Sequence, residues 1–229
     1  MSRLARPSLY VAASLLVGVA LPTAAFAETN RDRVIAISTQ ALKANGAREV
    51  TFGPIEGDDA RFTTGATRIV SEHEGKVGTV TVAKTTWVGA VPTPEGGYKA
   101  DQIVVEGLSL EADDSKVKAA TVTLTDYAGV APAKVVPGKI SGERVGSAVA
   151  TGIVVTTEDG KTVPIASASF TASDYVGDTP RKASFDFKGL EVPLDPNDPD
   201  LAQARALGYE KLSIDASFAG TWDDAAGRL

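Results

Sequence analysis

A period of two constrains this chain more than any other feature. Thr79-Val80-Thr81-Val82 alternates polar with apolar residues, and so does Ala120-Thr121-Val122-Thr123-Leu124-Thr125. Residues 166–172 set Ala and Phe against Ser and Thr. Phe185 and Phe187 alternate with Ser184, Asp186 and Lys188, and Leu212, Ile214, Ala216 and Phe218 alternate with Ser213, Asp215 and Ser217. Successive side chains of a strand point to opposite faces, so this pattern predicts strands with one buried and one wet face, the habit of antiparallel sheet. Turn residues punctuate the runs. Asp159-Gly160 is expected to join residues 153–158 to 161–170 as a hairpin, because a tight turn there needs positive φ. Asp58-Asp59, Asp113-Asp114 and Gly96-Gly97 mark further turns.

Two segments break the alternation with helical spacing. Residues 28–46 place Val34, Ile37, Ala41 and Ala44 on one stripe with Leu42 nearby. Thr29 or Asn30 caps that helix and Asn45-Gly46 ends it. The stripe suits a helix laid on a sheet; with few basic residues, it suits a membrane surface less well. A second, short helix is predicted late in the chain, capped by Asp198, started by Pro199 and ended by Gly208.

The N-terminus carries an address. Arg3 and Arg6 precede an apolar run of 11 residues, 11–21, then Pro22 and the small-x-small triplet Ala25-Phe26-Ala27. This is the layout of a cleaved secretory signal over residues 1–27. The run is about half of the roughly 20 apolar residues a spanning helix needs. The mature chain, 28–229, is therefore expected in the periplasm, with the exterior as second choice, and without a membrane span. Loss of both signal arginines leaves 21 basic against 29 acidic residues. A chain of that sign has no general attraction to nucleic acid or anionic membrane. The absence of Cys and the presence of one His remove thiol nucleophiles, disulfides and thiolate metal sites.

Within the strands lies a repeat. Trp87, Tyr127 and Tyr175 are each followed by Gly at +2 (Gly89, Gly129, Gly177) and Pro at +5 (Pro92, Pro132, Pro180), and each is preceded five residues earlier by an apolar residue (Val82, Val122, Phe170). Trp222 with Phe218 is a looser fourth copy. Glu106-Gly107-Leu108-Ser109-Leu110 also matches Lys188-Gly189-Leu190-Glu191-Val192. Gly in mid-strand marks a bulge. The unit reads as strand, aromatic-Gly-Pro turn, strand with a bulge, stacked into an elongated or curved antiparallel sheet over residues 47–229. The three aromatics are expected to form a spine or line a groove.

Strands that repeat in this way, with x-Gly-Leu-x-aliphatic steps behind an export signal and an N-terminal helix, resemble the AsmA-like proteins of Gram-negative envelopes. The resemblance covers residues 77–229. It implies a long sheet curled into an apolar groove and a role in phospholipid movement or outer-membrane homeostasis.

Signatures of chemistry are sparse. The chain holds no Gly-x-Gly-x-x-Gly, no P-loop and no Gly-x-Ser-x-Gly elbow; Gly138-Lys-Ile-Ser141-Gly142 has the wrong spacing for an elbow and reads as a loop. His73 sits between Glu72 and Glu74, which could make a proton relay or a weak metal site. On a strand, however, it points away from both, and one imidazole is a poor zinc site. Asp195, Asn197, Asp198 and Asp200 offer oxygen ligands for calcium, but the order of an EF-hand is lacking and helix capping accounts for the acids.

The expectation is thus a mainly β, exported, non-enzymatic protein without a cofactor or metal. It binds or scaffolds in the envelope and holds an apolar ligand such as lipid, with Trp87, Tyr127 and Tyr175 as groove or spine residues. Two alternatives stand beside it. One is a hydrolase of envelope polymers working through clustered carboxylates. The other is a fragment that binds an envelope protein along an open sheet edge. Residues 222–229 read as a turn and the start of a returning strand, so the last strand is expected to lack its partner, as in a chain cut from a longer protein.

Overall fold

The computed structural model describes residues 28–73, 76–112, 115–137, 142–158, 160–194 and 201–221. After helix α1 (Asn30–Ala44) the described residues form an antiparallel meander of thirteen strands in one open sheet. β1 (Ala47–Thr51) and β2 (Ile55–Gly57) are two pieces of one outward run. β3 (Arg61–Thr64) and β4 (Thr67–His73) return along it, and β5 (Lys76–Val82), β6 (Lys84–Val88) and β7 (Val91–Pro92) run out again. β8 (Tyr98–Ala112) is long enough to pair with all three of these last pieces. β9 (Ser115–Gly129), β10 (Ser147–Thr156), β11 (Thr162–Ser173), β12 (Lys182–Pro193) and β13 (Lys211–Thr221) then add one by one.

Of the predicted turn residues, Asp113, Asp114 and Asp159 lie outside the described residues; the others fall where the alternation stops. Asp58 and Asp59 lie between β2 and β3, where Asp58 Oδ1 accepts from the Ala60 and Arg61 amides at 3.0 and 2.9 Å. Gly96 and Gly97 turn β7 into β8. Residues 157–161 join β10 to β11, closed by a bond from the Thr157 amide to the Lys161 carbonyl at 2.9 Å.

Every run of the sheet except β13 is creased at one register position. Gly53, Ala66, Ala83, Gly107, Ala120, Gly152, Ala166 and Gly189 stand side by side across the sheet, one per run. At this row the apolar positions change parity in step on neighbouring strands. On β8 they pass from Ile103 and Val105 to Leu108 and Leu110; on β9, from Val117 and Ala119 to Val122 and Leu124. On β12 they pass from Phe185 and Phe187 to Leu190 and Val192. Apolar residues therefore face apolar residues on both sides of the crease. The row admits only small side chains, because a methyl on Gly107 or Gly189 would lie 2.9 and 2.8 Å from the Cβ of Ala83 and Ala166. The two Gly-Leu steps are thus members of a sheet-wide row. Only at Gly189 does the register itself slip, towards β13.

Thr29 caps α1 by accepting from the Asp32 amide at 3.2 Å. The helix lies over the first half of the sheet. Its buried face is Val34, Ile35 and Ser38, a stripe rotated from the predicted one, with Ile37 at its margin. Val34 and Ile35 join Phe62, Trp87, Ala90, Tyr98, Ala100 and Ile103 in the core. Burying a side chain such as Val34 contributes roughly 1.5–3 kcal/mol.

The second half of the sheet is less covered. On β13, Leu212, Ile214 and Phe218 are exposed, Phe218 by 61%. Between β12 and β13 sits α2 (Ala202–Ala206), ended at Gly208 as expected, its amide donating to the Arg205 carbonyl at 2.8 Å. The expected cap Asp198 and start Pro199 lie outside the described residues, as do the signal, residues 1–27, and the C-terminal residues 222–229 with Trp222.

Candidate functional site

Between α1 and the inner face of the sheet lies a cavity of about 350 Å³. Its roof is the lower face of the helix, Ser38, Ala41, Leu42 and Asn45, at the three- and four-residue spacing that shares one helix face. Its floor is cross-strand apolar pairs set by the register: Ile103 lies opposite Leu124 on β8 and β9, with Val105 beside them. Phe52, Ile69 and Val82 close one side. The other side is aromatic.

Trp87, Tyr98 and Tyr127 line it, and with Phe62 behind them four rings touch in sequence. Phe62 stacks on Trp87 with centroids 5.7 Å apart, Trp87 meets Tyr98 edge-on at 5.9 Å, and Tyr98 lies tilted against Tyr127 at 5.6 Å. Such pairs add about 0.5–1.5 kcal/mol each beyond their burial. The Tyr98 ring has room because its cross-strand partner is Gly129, where a Cβ would fall 2.5 Å from the ring.

The Tyr98 and Tyr127 hydroxyls share a hydrogen bond, Ser38 flanks Tyr98, and Tyr127 donates to the Glu143 carboxylate at the exposed rim. Burial pushes both phenols above their ordinary range. The neighbouring Glu143 charge adds to this, while the Ser38 and Tyr127 hydroxyls beside Tyr98 temper it there. Both hydroxyls are therefore neutral across the physiological range. Among the described residues, Glu143 is the one charged side chain lining the cavity, and no Lys, Arg or His lines it. Trp87 is buried, and its Nε1–H has no hydrogen-bond partner among the described residues.

Of the three aromatics named from the sequence, Trp87 and Tyr127 reach this cavity and are linked through Tyr98. Tyr175 does not. It follows β11, where its hydroxyl donates to the Val145 carbonyl at 2.9 Å and the Arg144 guanidinium covers its ring at 5.7 Å. The repeat thus places its aromatics at one end of three co-directional strands but steps along the register from copy to copy. The shared Gly does different work each time. Gly89 has φ +61° against Asp101, Gly129 seats Tyr98, and Gly177 has φ +65° in an open turn. Tyr98 and Glu143 escaped the sequence reading. Tyr98 follows Gly96-Gly97, where only the turn was noted, and Glu143 sits in a loop without periodicity.

The other candidates remain apart from this cavity. His73 ends β4 opposite Lys76, and Glu72 pairs with Arg48 across the β1–β4 ladder. Asp195, Asn197, Asp198 and Asp200, with Ser141 and Glu74, lie outside the described residues. Among the described residues no three His, Asp or Glu side chains gather as a metal site would require, and no helix is long and apolar enough to cross a membrane. Searches of protein-family models, curated proteins and solved structures find no match to this chain.

Proposed function

We propose that this is an exported, non-enzymatic binding protein of the bacterial envelope that holds a small apolar ligand between α1 and the sheet. One observation carries the reading: an apolar-walled cavity of about 350 Å³ with, among the described residues, a single charged residue at its rim. Ligand sites are typically concave and mostly apolar, with a few placed polar groups, at about 300–1,000 Å³. The volume is at the small end of that range, which suits one acyl or isoprenoid chain better than a whole diacyl phospholipid. A hydrolytic site would need several acids converging, and among the described residues Glu143 is the one carboxylate lining this cavity. The test is organic extraction of the exported full chain, purified without detergent, and mass spectrometry of the extract. A single-chain apolar compound in near-equal amount to the protein supports the reading; an extract with no such compound contradicts it.

A second reading draws on β13. Its outer edge pairs with no strand among the described residues, and Leu212, Ile214 and Phe218 are exposed along it. Such an edge suits addition of a strand from an envelope protein. Crosslinking from Ser213 and Ser217 variants carrying a photoreactive side chain tests it, with a discrete adduct as the expected result.

A further inference from the structure

The polar groups around the cavity discriminate between classes of apolar ligand. Among the described residues, an anionic head inside it would meet Glu143 and no cation, so a carboxylate or phosphate would be buried unpaired by them, which strongly disfavours it. A pure hydrocarbon would leave the Trp87 Nε1–H as it is now, buried without an acceptor. A neutral oxygen supplies that acceptor without adding charge. Of the remaining polar lining, Tyr98 and Tyr127 bond each other, Tyr127 bonds Glu143, and the Thr67 hydroxyl donates to the Gly65 carbonyl at 3.2 Å, while the Ser38 hydroxyl, like the indole, is buried without a partner among the described residues and can also meet a neutral oxygen. Resting on the proposed ligand-binding role, we infer that the ligand is a neutral single-chain amphiphile, an alcohol, ester or ketone, whose oxygen accepts the Trp87 indole N–H.

Calorimetric titration of the full chain with dodecane, dodecanol, methyl laurate and laurate, at a pH where laurate is ionised, tests this. Dodecanol and methyl laurate are expected to bind roughly tenfold tighter than dodecane, the worth of one satisfied buried donor, and tighter than laurate by at least as much. Trp87→Phe is expected to bring the dodecanol-to-dodecane ratio close to one, and Glu143→Gln to narrow the gap between dodecanol and laurate. Laurate or dodecane matching dodecanol in the natural chain, or an unchanged ratio in Trp87→Phe, overturns the inference while leaving the cavity a ligand site. Failure of all four to bind overturns the ligand-binding role and the inference with it. If Trp87→Phe does not fold, the ranking in the natural chain and the Glu143→Gln comparison still decide.

Discussion

Gly152 on β10 has φ +58°, and a methyl group on it would lie 2.9 Å from the Cβ of Ala120 on β9. The two residues are cross-strand neighbours in the crease. The left-handed backbone at Gly152 accompanies the parity change of its strand, and the small partner lets the strands keep their spacing. Gly152→Ala is expected to destabilise the protein by about 1–3 kcal/mol, the scale of a strained backbone position, measured as a lowered urea midpoint. Gly160→Ala is the control. It also has positive φ, +76°, but nothing lies within 4 Å of its would-be Cβ. It should cost no more than the backbone strain. Adding Ala120→Gly to Gly152→Ala should recover part of the loss; no recovery would mean the close approach is not what the row requires.

The buried phenols set an alkaline limit. Tyr98 and Tyr127 have folded-state pKa values above the ordinary 10.0, chiefly through burial. An unfolded chain ionises these groups as pH passes about 10 while the folded chain keeps them neutral, so the unfolded state binds fewer protons there. Their contribution is therefore complete below pH 10 and is lost as pH rises beyond it. Urea midpoints measured on both sides of that pH should fall on the alkaline side. The fall should be shallower in Tyr98→Phe and in Tyr127→Phe than in the natural chain.

Core and late-sheet phenylalanines should part company. Phe62 is 1% exposed and stacked on Trp87, whereas Phe218 is 61% exposed. Phe62→Ala is expected to cost about 3–5 kcal/mol and Phe218→Ala to stay within about 0.5 kcal/mol. Chemical denaturation of the two variants measures both. Equal costs would place Phe218 beneath a cover that the described residues do not supply.

The architecture was legible because it rests on periodicity. Alternation around Val80, Val122, Phe187 and Ile214 needs no tertiary context to declare a strand, and Thr29 and Gly208 declared helix ends through local backbone chemistry. The crease was half legible. Gly107 and Gly189 were visible because Leu follows each; Gly152, with Ile153 and Val155 after it, belongs to the same row but breaks the letter pattern, and the Ala members carry no local signal. The aromatic spacing named Trp87 and Tyr127, which line the cavity, and Tyr175, which does not, because a constant offset in sequence does not hold a constant register when the strands between differ in length. Tyr98 and Glu143 were not legible at all. Their meeting depends on β8 lying beside β9 and on the loop after β9 folding back, which are facts of topology.

The ligand-binding cavity is tested most directly by native mass spectrometry of the full chain with excess dodecanol, beside Ala41→Phe, whose ring would occupy the space under α1. The account predicts one saturable adduct per chain in the natural protein and its loss in Ala41→Phe. The same adduct in both proteins, or none in the natural one, would contradict it.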